Sequence, residues 1–281
     1  MRLPGGRQQS KVSIVTNPTA QVAKPDYGID APNVIRNLVL FGVLGLALWG
    51  AAAAGWWSGD VVTPAIRGTV LRIRLASSGL PMGFVCLGLA FWMYWTSVVG
   101  KVREREALVD QIAWTGHERV LDVGCGRGLM LLGAAKRLTT GKATGIDIWQ
   151  SEDLSGNHPE ATLENARRES VADRVDLQTM DVRSLAFPDG TFDVVLSCNA
   201  LHNIYDAPGR AKAIGEIARV LKPGGVALIE DIRHQSDYVA SFAEHGCGDA
   251  RRIGSRSAAV LLGILTFGSL SPGAILVRKR A

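Results

Sequence analysis

Two long stretches without a charged residue, 38–57 and 76–100, constrain this chain more than any other feature. They hold twenty and twenty-five residues. At about 1.5 Å per residue, a helix of twenty spans about 30 Å, the hydrocarbon thickness of a bilayer. Trp56 and Trp57 close the first run, and Trp92, Tyr94 and Trp95 lie near the end of the second. Aromatic rings favour those interfacial positions. A transmembrane hairpin within residues 33–100 is expected, with helices at about 38–57 and 78–100; a buried core hairpin is the alternative. Both flanks of such a hairpin lie on one side, with Arg36, Lys101, Arg103 and Arg105, while the linker 58–75 carries Asp60, Arg67, Arg72 and Arg74. That charge balance orients the hairpin weakly. The expected location is a membrane crossed twice, with the rest of the chain on the cytoplasmic side.

The net charge of +5 flanks apolar runs, which suits anionic lipid heads better than nucleic acid. No aromatic–basic interleaving suggests base stacking, so no nucleic-acid partner is expected. Cys86, Cys125, Cys198 and Cys247 form no CxxC pair and have no histidine at zinc spacing. They read as reduced thiols, and no metal is expected. Residues 1–32, polar and broken by Pro4, Pro18 and Pro25, read as a flexible tail.

Beyond residue 100 the pattern changes. Residues 101–114 read as an amphipathic helix with Val102, Leu108, Val109 and Ile112 as its apolar positions. From 119 short apolar runs alternate with helical periodicity, which predicts an α/β fold with a doubly wound, mostly parallel sheet of seven strands over 101–281. The expected strands are 119–123, 143–147, 175–180, 192–198, 226–231, 251–255 and 275–278. Asp206 is placed to cap a helix with Pro208 in its first turn, and Ala211, Ile214, Ile217, Ala218 and Leu221 mark its buried stripe. The uncharged run 257–277 is read as a terminal hairpin with an apolar loop, in preference to a third span, because Ser271-Pro272-Gly273 interrupts it.

The strongest chemical signal is Val120-Leu121-Asp122-Val123-Gly124-Cys125-Gly126-Arg127-Gly128. An apolar strand ends in an acid, glycines follow at alternate positions, and a helix begins at Leu129. Glycines permit the tight turn and close backbone approach, and the helix start carries a positive dipole end. This resembles motif I of the class I (Rossmann-like) S-adenosylmethionine-dependent methyltransferases, in the branch similar to the methyltransferase type 11 and ubiquinone/menaquinone methyltransferases. The rival is a dinucleotide-binding GxGxxG loop. Gly124 and Gly126 fit it, but its third position is Leu129. Asp147 ends the next strand, 21 residues after Gly126, where an ionised carboxylate can accept from ribose hydroxyls.

The resemblance implies S-adenosyl-L-methionine as cofactor. It places Asp122 near the methionine end, with Gly124, Cys125, Gly126 and Gly128 under the cofactor. Asp147 and Ile148 fall at the ribose and adenosine, Asp181 and Val182 at the adenine, and Asn199 beyond the fourth strand. Phe187-Pro188-Asp189-Gly190 resembles the family's turn into strand four, and Lys222-Pro223-Gly224-Gly225 its structural approach to strand five. On the acceptor side His202 is the candidate base, with Tyr205 and His234 behind it; packing over the cofactor is the plainer role for His202. Trp149 could stack on adenine, and the polar residues after it read as a cover or a solvated loop. The hairpin favours a small, lipid-soluble acceptor: a quinone precursor, a polyprenyl lipid or a phospholipid. A tethered enzyme acting on a soluble or protein substrate, and a non-catalytic cofactor-binding membrane protein, are the alternatives.

Overall fold

The computed structural model describes residues 23–62, 72–150, 154–254 and 272–281. The first apolar run forms α1, Pro32–Ala53, and the second forms α2, Leu75–Trp95. The first helix starts six residues earlier than expected because Pro32 suits the opening turn, where no N–H is needed. It ends before Trp56 and Trp57. Four glycines let the two helices approach closely. A Cβ on Gly79 would lie 2.5 Å from the Gly45 carbonyl, and one on Gly83 would meet Leu46 at 2.5 Å. Such small-residue contact lets two apolar helices pack backbone to backbone. The linker holds two short antiparallel strands, β1 (Asp60–Val62) and β2 (Arg72–Arg74), whose ladder satisfies backbone groups at the hairpin tip.

The second apolar helix does not stop at the domain boundary. Residues 96–100 continue it as one wider turn, with Thr96 Oγ1 donating to the Trp92 and Met93 carbonyls. It runs on into α3, Lys101–Val109. This helix ends five residues sooner than expected, yet Leu108, Val109 and Ile112 are all buried in the domain core.

The domain is a seven-stranded sheet. Its strands are β3 (Arg119–Val123), β4 (Lys142–Asp147), β5 (Val175–Thr179), β6 (Phe192–Cys198), β7 (Leu221–Asp231), β8 (Asp249–Ile253) and β9 (Gly273–Arg278). The spatial order is β5-β4-β3-β6-β7-β9-β8, parallel except for β9, which runs antiparallel between β7 and β8. Alternate side chains go to opposite faces. Val120 and Leu228 join one core with α3, α4 (Leu129–Ala135) and α5 (Pro159–Arg168). Leu121 and Ile229 join the other with α6 (Ala207–Val220) and α7 (Gln235–Glu244). Asp206 caps α6 as expected, accepting from Gly209 N. The strand expected at 251–255 lies two residues earlier, because its pairing with β9 sets Arg252 against Ile275. The apolar run before Pro272 is outside the described residues, so its reading as a loop or a span is not addressed by the fold.

The expectation of a flexible tail over 1–32 needs correction. Residues 1–22 lie outside the described residues, but 23–31 form a strap across the domain. Tyr27 is 7% exposed, and its hydroxyl meets Arg105 Nη1 at 2.7 Å. Lys101 Nζ donates to the Tyr27 and Gly28 carbonyls and pairs with Asp30 at 2.7 Å. Asp26 pairs with Arg127, and its backbone exchanges two hydrogen bonds with the Asn165 side chain. One aromatic anchor and several long-range polar contacts, none visible as periodicity, offset the entropy of ordering the segment.

Candidate functional site

The candidate residues converge at the carboxyl ends of β3, β4 and β6, the usual crevice of an open parallel sheet. Gly124 and Gly126 have φ of +67° and +51°, which side chains rarely adopt. A Cβ on Gly124 would lie 2.3 Å from that of Ala200, so the loop after β6 rests directly on the glycine loop. The N–H groups of Gly124 and Cys125 both bond to the Ile146 carbonyl, tying the loop to β4. Gly128, at φ +87°, caps α4.

Asp147 accepts from Gly126 N at 2.8 Å and from Trp149 N at 2.6 Å, one through each oxygen. Oδ1 also accepts from Asn157 Nδ2 at 3.4 Å, so the lone pair that remains for a further donor is on Oδ2. Asp122 is 1% exposed, and its Oδ2 has no hydrogen-bond partner among the described residues. Burial pushes this carboxyl well above the usual range; the Leu131 N–H opposes that and Asp147 adds to it. A buried, half-satisfied carboxyl beside a glycine cradle is where a cationic or hydrogen-bonding ligand gains most. The donor set therefore fits the methionine and ribose ends of the expected cofactor.

Other candidates are placed differently. Ile148 is 52% exposed, an apolar surface beside Asp147. Trp149 is committed elsewhere: its indole N–H donates to Thr179 at 2.8 Å and its ring packs on the core. Asp181 is held by its neighbour, with two bonds from Arg183 Nε at 3.0 Å, and this holds its carboxyl below the usual range. It opens on a cleft of about 450 Å³ shared with Asp206 and Lys212. Val182 packs against the core beneath α6. Asn199 takes φ +50° and sends its N–H to the Glu230 carbonyl.

On the acceptor side, His202 Nδ1 lies 2.6 Å from Asp231 Oδ1, and Tyr238 donates to Asp231 Oδ2 at 3.1 Å. Tyr205 is 93% exposed, and His234 pairs with Asp237 at 3.4 Å and sets its ring 6.3 Å from that of Tyr238. Sequence reasoning missed Asp231 and Tyr238, since nothing in their spacing ties them to His202. It also missed Leu154, whose methyl would lie 2.9 Å from a Cβ on Gly126. Leu154 bridges to Asp30, and Ile29 N donates to Ser155 Oγ, so the strap lies over the glycine loop. Residues 151–153 of the expected cover lie outside the described residues.

Residues 120–225 match the family model described as a methyltransferase domain. Among curated proteins, the chain is 40% identical over 122 residues to the demethylmenaquinone methyltransferase of Symbiobacterium thermophilum, covering 42% of this chain and 43% of that one. It is 30% identical over 138 residues to the sterol 4-C-methyltransferase strm-1 of Caenorhabditis elegans, covering 49% and 38%. The chain thus spans less than half the length of these relatives. Two solved structures share the fold at a TM-score of 0.51. They are a [4+2]-cyclase, SpnF, at 22% identity over 64% of this chain and 82% of that one, and a geranyl diphosphate methyltransferase with bound cofactor, at 15% over 69% and 90%. Residues 120–225 are thus similar to a methyltransferase domain, and the sheet around them has the fold of a class I (Rossmann-like) S-adenosylmethionine-dependent methyltransferase.

Proposed function

We propose that the chain is a membrane-anchored methyltransferase that moves a methyl group from S-adenosylmethionine to a small, lipid-soluble acceptor: a quinone precursor, a polyprenyl lipid or a phospholipid. The observation that carries this is the continuity of α2 through residues 96–100 into α3. Among the described residues, two helices are long and apolar enough to cross a bilayer. Phe84, Phe91 and Trp92 on α2 are 64–68% exposed, apolar surface that lipid would cover. The same helix then buries Leu108 and Val109 against α4, so a bilayer holding α2 would hold the crevice close to its surface. The names of the quinone and sterol relatives support an acceptor of this kind. We place the domain on the cytoplasmic side, with Arg36 and Arg103 toward the lipid heads.

In this reading the glycine loop from Gly124 to Gly128, with Cys125, forms the floor of the cofactor site. Asp122 faces the methionine end, Asp147 takes the ribose hydroxyls, and Ile148 and Val182 flank the adenine. Asp181 accepts from the adenine and Asn199 closes the methionine side. The bound cofactor supplies a methyl already activated on a sulfonium, so these residues mainly orient the reactants and exclude water. His202 receives the acceptor's proton where the acceptor must lose one.

The test uses full-length protein in detergent, methyl-labelled S-adenosylmethionine and a total membrane lipid extract. Label should enter the organic phase with wild type and not with Asp147→Ala. That variant loses charge-assisted bonds worth about 1.5–3 kcal/mol each, a drop in cofactor affinity of roughly 10²-fold or more. Cofactor binding with no label in lipid, soluble or protein acceptors would leave the second reading, a cofactor-binding protein without transfer. The shared fold of a [4+2]-cyclase shows that the scaffold alone does not dictate methyl transfer.

A further inference from the structure

We propose that the carboxyl edge of the sheet is itself a membrane-docking surface, with Tyr205 among phospholipid head groups and Arg233 against their phosphates. The mouth of the crevice then opens into the head-group layer and not into water. This rests on the membrane-anchored reading above and goes beyond it in naming the face that the bilayer covers and the residues that touch lipid.

The fold sets which edge faces the hairpin. Strands β3 to β7 run parallel, so their carboxyl ends share one edge. α3 descends from that edge along the sheet. A hydrogen bond joins the carboxyls of Glu104, in the first turn of α3, and Glu230, near the end of β7. Further down, Arg251 Nη2 on β8 donates to Gln111 Oε1 at 3.1 Å. α2 continues the same helix in the other direction, so it rises away from the carboxyl edge.

Helix length sets how near the bilayer lies. Trp92, Tyr94 and Trp95 are exposed at the end of α2, ring types that settle at the lipid interface. Lys101 follows Trp95 by six residues, a rise of about 9 Å. The head-group layer is about 5–8 Å deep on each side of the hydrocarbon. Residues 97–101 are also level with the crevice. Ser97 Oγ donates to Asp30 Oδ2 at 3.1 Å, and Asp30 bridges to Leu154 over the glycine loop. The loops of the carboxyl edge therefore reach the head groups.

The side chains of this edge suit that place. Among the described residues of 101–281, two large apolar side chains are exposed, Ile148 at 52% and Tyr205 at 93%. Both lie at the carboxyl edge, after β4 and after β6. Exposed apolar side chains are ordinary one at a time. Here both fall on the edge from which the hairpin leaves. Ile148 also flanks the adenine in the proposed site, so Tyr205 and Arg233 carry the test. Tyr205 has an apolar ring and a hydroxyl with no hydrogen-bond partner among the described residues, which fits one dry and one wet side. Its backbone is held, since Arg210 Nη1 donates to the Ile204 and Tyr205 carbonyls at 2.8 and 3.0 Å. Arg233, exposed just after β7, makes no hydrogen bond or ion pair among the described residues. Acids of the neighbouring loops are taken: Asp181 by Arg183, Asp206 by Gly209 N, and Asp237 by His234. The charge left over is positive, complementary to lipid phosphate.

The experiment uses full-length protein carrying fluorinated tyrosine, in phosphatidylcholine vesicles with and without phosphatidylglycerol. The chain has four tyrosines, and each ¹⁹F signal is assigned by its loss in Tyr27→Phe, Tyr94→Phe, Tyr205→Phe or Tyr238→Phe. Tyr94 on α2 reports the anchor, Tyr205 reports docking, and the buried Tyr27 and Tyr238 report the fold. A phospholipid with a nitroxide near its head group should broaden both Tyr94 and Tyr205, and an aqueous gadolinium chelate should leave Tyr205 sharp. In Arg233→Ala the ratio of docked to undocked Tyr205 should fall about fivefold in anionic vesicles, the effect of one basic residue at such a surface. Unchanged Tyr27 and Tyr238 signals would show that this variant is folded. Tyr94 in lipid with Tyr205 broadened only by the chelate would overturn the docking surface and leave the anchor standing. Tyr94 untouched by the lipid nitroxide would overturn the anchor, and Tyr205 would then decide by itself whether this edge meets a bilayer. Docking unchanged by Arg233→Ala in anionic vesicles would overturn the phosphate contact.

Discussion

At the scale of single residues, the site concentrates groups that are costly to bury. Glu230, beside Cys198 at the end of β7, is pushed up to about 7, first by burial and then by the neighbouring Glu104. A folded value above the ordinary one of 4.5 means that this group favours the folded state fully at low pH. That contribution is lost as pH rises from about 4.5 through 7. The loss is on the order of 2–3 kcal/mol. Glu230→Gln should remove it: the difference in melting temperature, variant minus wild type, should grow between pH 5 and pH 8 and then level off. A difference that stays flat across this range would show that Glu230 ionises as it does in solvent. Gly124→Ala tests the crowded contact with Ala200. A Cβ 2.3 Å from the Ala200 Cβ, at φ +67°, should cost about 1–3 kcal/mol in urea unfolding.

At the scale of elements, the strap is the feature that periodicity could not show. Its polar, proline-broken sequence reads as a tail. What orders it is a buried anchor: Tyr27 meets Arg105, which is itself 2% exposed and paired with Glu169 at 3.3 Å. Lys136 closes the same cluster through Glu169 at 2.6 Å. Removing the anchor should loosen the strap without unfolding the sheet, whose strands bury their own cores. In Tyr27→Ala, hydrogen exchange should rise by 10-fold or more at residues 154–157 and in the glycine loop, and the cofactor should dissociate faster. Exchange unchanged in both places would mean that the strap is held by its polar contacts alone.

At the scale of the whole molecule, the unbroken path from α2 into α3 makes the apolar hairpin and the domain one piece. The full-length protein should float with phospholipid vesicles on a density gradient and resist extraction by carbonate and 1 M salt. Charge-mediated binding would be released, because salt at 1 M screens beyond about 3 Å. Recovery in the salt wash would remove the anchor from the proposed function and leave the domain's fold intact.

Local rules made much of this protein legible. Uncharged runs of twenty or more residues specify long apolar helices, Asp206 with Pro208 specifies the start of α6, and alternating apolar runs specify the strands. The acid–glycine loop and Asp147 were legible because backbone geometry and ligand chemistry demand those residues at those spacings. The hairpin tip, the end of α3 and the register of β8 were not, since pairing partners far along the chain decide them. The same holds for Trp149, drawn away from the crevice by Thr179, and for Asp181, held by Arg183. The tertiary structure alone brings Asp231 and Tyr238 to His202 and lays residues 23–31 over the glycine loop. Contacts between segments 29 to 139 residues apart leave no local pattern; they form only when the sheet brings its strand ends together.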